Sequence, residues 1–504
     1  MKDNKYLRPV SLLLLAVMLF GALAGCGDAG EAGKPKATAA TEGETGETKT
    51  ETTTEFAPDL PELDLKGKDF TFLIRSRDAP SYDEYCVFTE DMDGEVVNDA
   101  VYERNSMVAE KFNTNIAAIE QEDSASHAKK LIQAGDDVFR VVSARRIELG
   151  PVATEGYLYD WMKVPYVDLE AAWWDRNAKE QMCILNKLFM MPSDISMGNL
   201  ESARFLYFNK QIVEDYGLEA PYKLIDANEW VLDRYLDMVK GVSTDLNGDG
   251  VMDRNDRFGQ LAEYGDANSN AIHFFIGCDI NFYKRDNEGR LVMTPEINEK
   301  AETVISKLRA VLYKTDYAID YEKCSKGADT SGFNHMWDYG RSLFAEGHFL
   351  FVQNGTDVSK QFKNMEMDYG VAPNPKYDSS QDNYWHATDV YALLFAIPVT
   401  SADVDSTGIV LEYMSWLSNK FVLPAYYDIT IKAKRVRDDK AGEILDIIKD
   451  GMTYDIAKIL GVNFPSIIWN AFTSGNFAST YAAREEGLRV SLDKLHEKLE
   501  GIVS

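Results

Sequence analysis

The sequence predicts an α/β fold arranged as two lobes, on three observations. Apolar strand-like runs alternate with helical periods along the body. The body that follows a low-complexity N-terminal stretch is too long for one hydrophobic core. It contains neither an internal repeat nor a second low-complexity stretch.

The elements follow in chain order. "FTFLIR" (70–75) reads as a buried first strand, and "NDAVYERNSMVAEKFN" (98–113) as a helix with Val101, Met107, Val108 and Phe112 on one face. "DVFRVVSA" (137–144) is the next strand, and "RFLYFNKQIV" (204–213) a strand running into a helix. "HFLFVQN" (348–354) and "YALLFAIP" (391–398) are two further buried strands. Leu488, Leu492, Leu495 and Leu499 mark an amphipathic last helix. Strands and helices alternating in this way predict mostly parallel sheets with helices on both faces.

The N-terminus reads as an export signal over residues 1–25: Lys2, Lys5 and Arg8 precede an apolar run at 10–24, too short for a stable membrane span. Small residues in "LAGC" lead directly to Cys26, the pattern that lipoprotein signal peptidase requires, so Cys26 is the expected lipidation site. Residues 26–58 are rich in Thr, Glu, Gly and Ala, with Phe56 as the single aromatic, and read as a flexible acidic tether. The expected location is the extracytoplasmic face of the cell membrane, reached through a lipid anchor only.

With a formal net charge of −29, the chain is a poor partner for nucleic acid or for an anionic membrane surface. Cys86, Cys183, Cys278 and Cys324 are scattered, without a CxxC pair, so disulfides and buried thiols both stay open. None of the six histidines sits in HExxH, and GxSxG and the nucleotide-binding glycine patterns are missing.

"TDLNGDGVMDRNDRFG" (244–259) is the most explicit chemistry in the chain. Asp245, Asn247 and Asp249 stand at loop positions 1, 3 and 5, with Gly250 for the turn. Val251 offers its carbonyl at position 7, and Asp253 and Asp256 fall at 9 and 12. Hard oxygen donors at this spacing suit Ca2+. Asp256 replaces the longer bidentate Glu of an EF-hand, and the loop occurs once, so a structural rather than catalytic ion over 245–256 is expected.

The order of lipobox, acidic tether, "FTFLIR", "GEVVNDAVYERNSMVAEKFN", "GYLYDW", "WWD", "FLYFNKQI", "DLNGDG", "YGVAPNPKYDSSQDNYW" and "LFAIPVT" resembles an extracellular solute-binding protein of the sugar-binding ABC-importer type (solute-binding protein family 1). The resemblance implies a two-lobed periplasmic-binding-protein-like fold with a ligand cleft between the lobes. It places lobe 1 at 59–163, lobe 2 at 164–327, a return to lobe 1 at 328–397, and a helical C-terminal part of lobe 2 at 398–504. It also implies a non-enzymatic, monomeric protein that closes on a solute, with an oligosaccharide favoured, and hands it to ABC permease subunits. A ligand-binding adhesion or sensor component, or a secreted glycoside hydrolase, are the alternatives; 82 acidic residues make a pair of carboxylates uninformative.

Candidate ligand residues combine aromatic rings for sugar faces with polar groups at strand ends. Trp173 and Trp174 are adjacent, and two neighbouring indoles cannot both enter one core from a helix, so at least one is expected at the surface. Trp385, with His386 and Asp389, lies on a polar approach to a strand. Arg145, Asp194, Glu201, Ser202 and Arg204 stand at strand ends. Trp161, Trp230 and Trp337 read as core.

Overall fold

The computed structural model describes residues 57–76, 87–265, 269–294, 297–364, 368–432 and 440–502. The signal segment, Cys26, the tether as far as 56, and Cys86 lie outside the described residues.

Two sheets organise the body. The first runs Leu393–Ala396, Val141–Arg145, Asp69–Arg75, Asn115–Gln121, its last three strands parallel and Leu393–Ala396 antiparallel to its neighbour. The strand Asp69–Arg75 is buried on both sides because "FTFLI" offers apolar side chains to helices on each face. Helix Val96–Phe112 packs beside this sheet. Glu95 accepts from the Asn98 N–H at its start, and Asn113 ends it in the left-handed conformation. Val101, Val108 and Phe112 are buried as expected, but Met107 is exposed.

The second sheet runs Tyr369–Ala372, Phe205–Asn209, Phe349–Asn354, Phe258–Ala262, Ala318–Asp320. Phe205–Asn209 is antiparallel to both its neighbours, whereas the other pairings are parallel, so this sheet is mixed rather than mostly parallel. All five residues of "FLYFN" are buried; the Asn209 carboxamide then accepts from the Ile212 N–H and turns the strand into helix Lys210–Asp215. Trp230, Tyr235, Phe274 and Phe351 pack around one another to form the aromatic core of this half.

The sheets correct two expected boundaries. Strands Phe349–Asn354 and Tyr369–Ala372 both pair with Phe205–Asn209, so most of 328–397 belongs with the second sheet; of this stretch only Leu393–Ala396 joins the first. Helices Val404–Leu417 and Leu423–Lys432 pack on Val96–Phe112, beside the first sheet, whereas the resemblance puts 398–504 in lobe 2. Buried apolar strands look alike whichever sheet they enter, and pairing partners decide the matter. "DVFRVVSA" also pairs only from Val141 onward.

Helices Pro465–Ser474 and Phe477–Glu500 pack together. The first rests on Asn298–Leu312, and the second reaches both that helix and Arg146–Thr154. Leu492, Leu495 and Leu499 are buried as the leucine spacing predicts. Cys183, Cys278 and Cys324 are free thiols.

Candidate functional site

Three strand ends meet at one edge of the second sheet. Phe205 pairs with Asn354, so Arg204 and Asn354 lie side by side; Phe258–Ala262 runs parallel to Phe349–Asn354 and delivers Glu263 to the same edge. Arg204 donates from Nη1 to Asn354 Oδ1 at 3.2 Å, and from Nη2 to Asp389 Oδ2 at 3.4 Å. Arg341 Nη2 donates to the same Asn354 oxygen at 3.0 Å, and Asn354 Nδ2 donates to the Tyr321 hydroxyl. Gly355 follows because a Cβ there would stand 1.8 Å from the Glu201 carbonyl oxygen.

The segment 386–392 joins this edge to the first sheet. Arg204 N–H donates to the Ala387 carbonyl and Asp389 N–H to the Ser202 carbonyl, while Arg146 N–H donates to Ala392. Arg146 also donates to Asn199 Oδ1 at 2.7 Å and Thr388 Oγ1 at 2.5 Å, and Leu393 pairs with Arg145. The carboxyl end of Val141–Arg145 therefore abuts the polar edge of the second sheet. Carboxyl ends of parallel strands are where α/β proteins bind ligands.

Two guanidinium groups, Arg204 and Arg341, act on both Glu263 and Asp357, and Arg204 also pairs with Asp389. Burial pushes the Glu263 and Asp357 carboxyls up, and the two arginines only partly offset it. Asp357 Oδ1 is buried and takes no hydrogen bond from the described residues. Close by, the Tyr426 and Thr356 hydroxyls are 2.6 Å apart, and Tyr426 reaches Glu201 Oε1 at 3.5 Å. Fixed donors and acceptors of this kind suit a neutral polyhydroxylated ligand.

Cavities open around this frame. One of about 460 Å³ is bordered by Trp174, Asp175, Arg176, Asp194 and Lys449. Another of about 560 Å³ is aromatic, with Phe275, Phe282, Tyr283, Trp385 and Tyr454 on its wall. Met452 lines the first and Thr453 the second, so this short strand stands between them. A third, of about 420 Å³, is polar and shares Trp385 with the second. In the first, Lys449 Nζ donates to Asp194 Oδ2 at 3.1 Å. Burial raises Asp175 to about 6, even though it accepts from Tyr454 and from the Ala178 N–H.

The residues singled out from the sequence divide between these places. Trp174 and Asp194 line the first cavity, Trp385 the second and third, and Asp389 a small pocket of about 50 Å³ shared with Arg146 and His273. Glu201 and Arg204 belong to the polar edge. Arg145 pairs with Glu148 at 3.5 Å and lies over the Tyr391 ring. Ser202 is fully buried and donates to the Asn199 carbonyl. His386 is also fully buried: its Nδ1 sits between the Arg204 carbonyl and Asn374, and burial lowers it to about 4, behind the site rather than in it.

The tryptophans need a correction. Trp173 and Trp174 are both buried, at 6% and 3% exposure. They precede helix Arg176–Met182 instead of lying in it, so the helical argument does not govern them. Trp174 Nε1 donates to Glu412 Oε2 at 2.7 Å and its ring meets Trp161 edge-on. Trp337, expected in the core, is 39% exposed. Sequence reasoning also missed Glu263, Arg341 and Asp357, although the "NGTD" that follows "HFLFVQ" marked a strand end.

The acidic loop closes on its own backbone. Asp245 accepts from the Gly248 and Gly250 N–H groups, which hold its carboxyl below the usual range; both glycines are in the left-handed region. Asn247 accepts from Asp249, Asp249 from Val251, and Asp253 from Asn255. Asp256 is buried and accepts from Leu246 and Asp253. Among the described residues no three His, Cys, Asp or Glu side chains stand together as a group that could hold a metal ion.

No protein-family model and no curated protein sequence matches the chain. Solved structures do. The sugar-binding protein MalE from Xanthomonas citri is 14% identical, with 86% of this chain and 99% of that one covered and a TM-score of 0.55. Apo RafE from Streptococcus pneumoniae is 14% identical, with 86% and 98% covered and a TM-score of 0.51. A cyclo/maltodextrin-binding protein complexed with maltotetraose is 13% identical, with 87% and 98% covered and a TM-score of 0.51. The chain thus has the two-lobed, periplasmic-binding-protein-like α/β fold of these proteins.

Proposed function

We propose that this protein is the substrate-binding component of an ABC importer and captures an oligosaccharide between the facing edges of its two sheets. One observation carries the reading: strand ends of the second sheet and the 386–392 segment that leads into the first converge on a largely buried polar cluster of Glu201, Arg204, Glu263, Asn354, Asp357 and Asp389, on a fold shared with sugar-binding proteins. The protein binds without chemistry; contacts made to both sheets favour the closed arrangement, and ABC permease subunits then receive the solute. Cys26 carries the lipid and residues 26–58 the reach, so the body works at the outer face of the membrane.

We also propose calcium at 245–256. Support comes from donor type and register in the sequence alone, with Asp245, Asn247, Asp249, the Val251 carbonyl, Asp253 and Asp256 as the contributors; these carboxylates now accept from the loop's own N–H groups and do not stand together, so an ion would have to turn them inward. Because the loop already satisfies its own backbone, the ion acts as an added staple and folding does not depend on it.

A thermal-shift screen against α-glucan, β-glucan, xylan and galacturonan fragments tests the main reading. Ligand at a hundred times its dissociation constant adds about 2.7 kcal/mol to stability. A shift with one glycan class and no cleavage of that glycan is the expected result. Cleavage, or silence across every class, would overturn the proposal.

A further inference from the structure

Trp337 opens a question that the core and the polar cluster leave unanswered. It sits in the first turn of helix Met336–Ala345 with its indole 39% exposed, beside Phe333 at 37%. The exposed His335 ring lies 4.1 Å from the Trp337 ring at an angle of 34°, and Phe333 meets Tyr339 edge-on at 5.4 Å. Two aromatic pairs thus fall within seven residues, and three of their four rings, Phe333, His335 and Trp337, are exposed.

The same helix ties this platform to the polar edge. Trp337 and Arg341 are four residues apart, so they share a helix face and lie about 6 Å apart along its axis. Arg341 donates to Asn354 and to Asp338, and Gln361 donates to Asp338 as well. Gly340 lets the helix come close to Tyr321, where a Cβ would stand 2.4 Å from the ring; Tyr321 in turn holds Asn354. At the helix start, His335 Nδ1 accepts from the Trp337 N–H, which fixes the imidazole beside the indole. The rings are therefore held in place before any ligand arrives, and little ordering cost remains for binding.

We infer that Trp337, backed by His335, forms an outer subsite that stacks a distal pyranose ring of an oligosaccharide whose nearer units occupy the polar edge. The inference rests on the binding reading above and extends it from sugar class to chain length. An indole presents a flat apolar face to the C–H face of a sugar, which is the contact a stacking subsite needs.

Calorimetric titration of the purified chain with dimers through hexamers of α-glucan, β-glucan, xylan and galacturonan tests this. Wild type should bind one series with affinity that rises with length. Trp337→Ala should weaken the longest member roughly tenfold while leaving the dimer unchanged, and Trp337→Phe should restore most of the loss. A series that binds equally well to wild type and Trp337→Ala at every length overturns the subsite and leaves the importer reading intact. If no member of any series binds wild type, the importer reading fails and the subsite falls with it.

Discussion

Trp173–Trp174 and Trp337 invert what their sequence contexts suggest. The adjacent pair, which a helix could not bury, is buried because it lies outside any helix and finds Glu412 and Trp161 as partners. The lone tryptophan in a good helical period is exposed because its helix turns Leu343, Phe344 and Gly340 to the core and leaves the first turn outside. Side-chain periodicity specifies which residues share a face. It does not specify whether the fold covers that face.

The sharpest way to break this contrast is stability. Trp174→Ala removes a buried ring and the shorter of the two N–H bonds that Glu412 Oε2 accepts, so it should cost about 3–5 kcal/mol in urea unfolding. Trp337→Ala should stay within about 0.5 kcal/mol of wild type. Equal losses would show that Trp337 supports the fold and would remove the ground for an open platform.

A smaller effect separates the buried site by pH. Burial raises Glu412 to about 7 despite the Trp174 and Asp168 N–H groups. Its folded form holds a proton more tightly than the unfolded chain, so this contribution is full below about 4.5 and is lost as pH rises through 7. Glu412→Gln should flatten that slope in urea midpoints measured from pH 5 to 8. His386 acts in the opposite sense: lowered from 6.5 to about 4, it removes stability as pH falls across that window, and His386→Asn should flatten the acid limb.

The smallest effect links the acidic loop to the platform. Arg254 donates to the Lys326 carbonyl at 2.9 Å, at the start of the segment that carries Phe333 and Trp337. Removing calcium with a chelator should lower the melting temperature by a few degrees and weaken the long oligosaccharide more than the dimer. Unchanged melting and unchanged affinity would end the calcium proposal.

Much of the fold was legible. "FTFLIR", "HFLFVQN" and "YALLFAIP" are strands because uninterrupted apolar runs of that length are buried on both faces, and the leucine spacing of the last helix held. Pairing was not legible. Nothing local in "YGVA" says that it crosses to Phe205–Asn209, so the sheet that this stretch joins could not be read from the run itself. At the polar edge, Glu201, Arg204 and Asp389 could be singled out from the sequence because they stand next to strands. Arg341 sits inside a helix and Glu263 follows a strand that the pattern did not reveal, so only the tertiary arrangement brings them in.

The central claim is that an oligosaccharide joins the two sheet edges. Small-angle X-ray scattering of the chain, with and without a saturating saccharide from the screen, tests it most directly. The account predicts a smaller radius of gyration with ligand, and a return to the free value when Arg204→Gln is used at the same ligand concentration. A radius unchanged by a saccharide that calorimetry shows to be bound would contradict binding between the sheets.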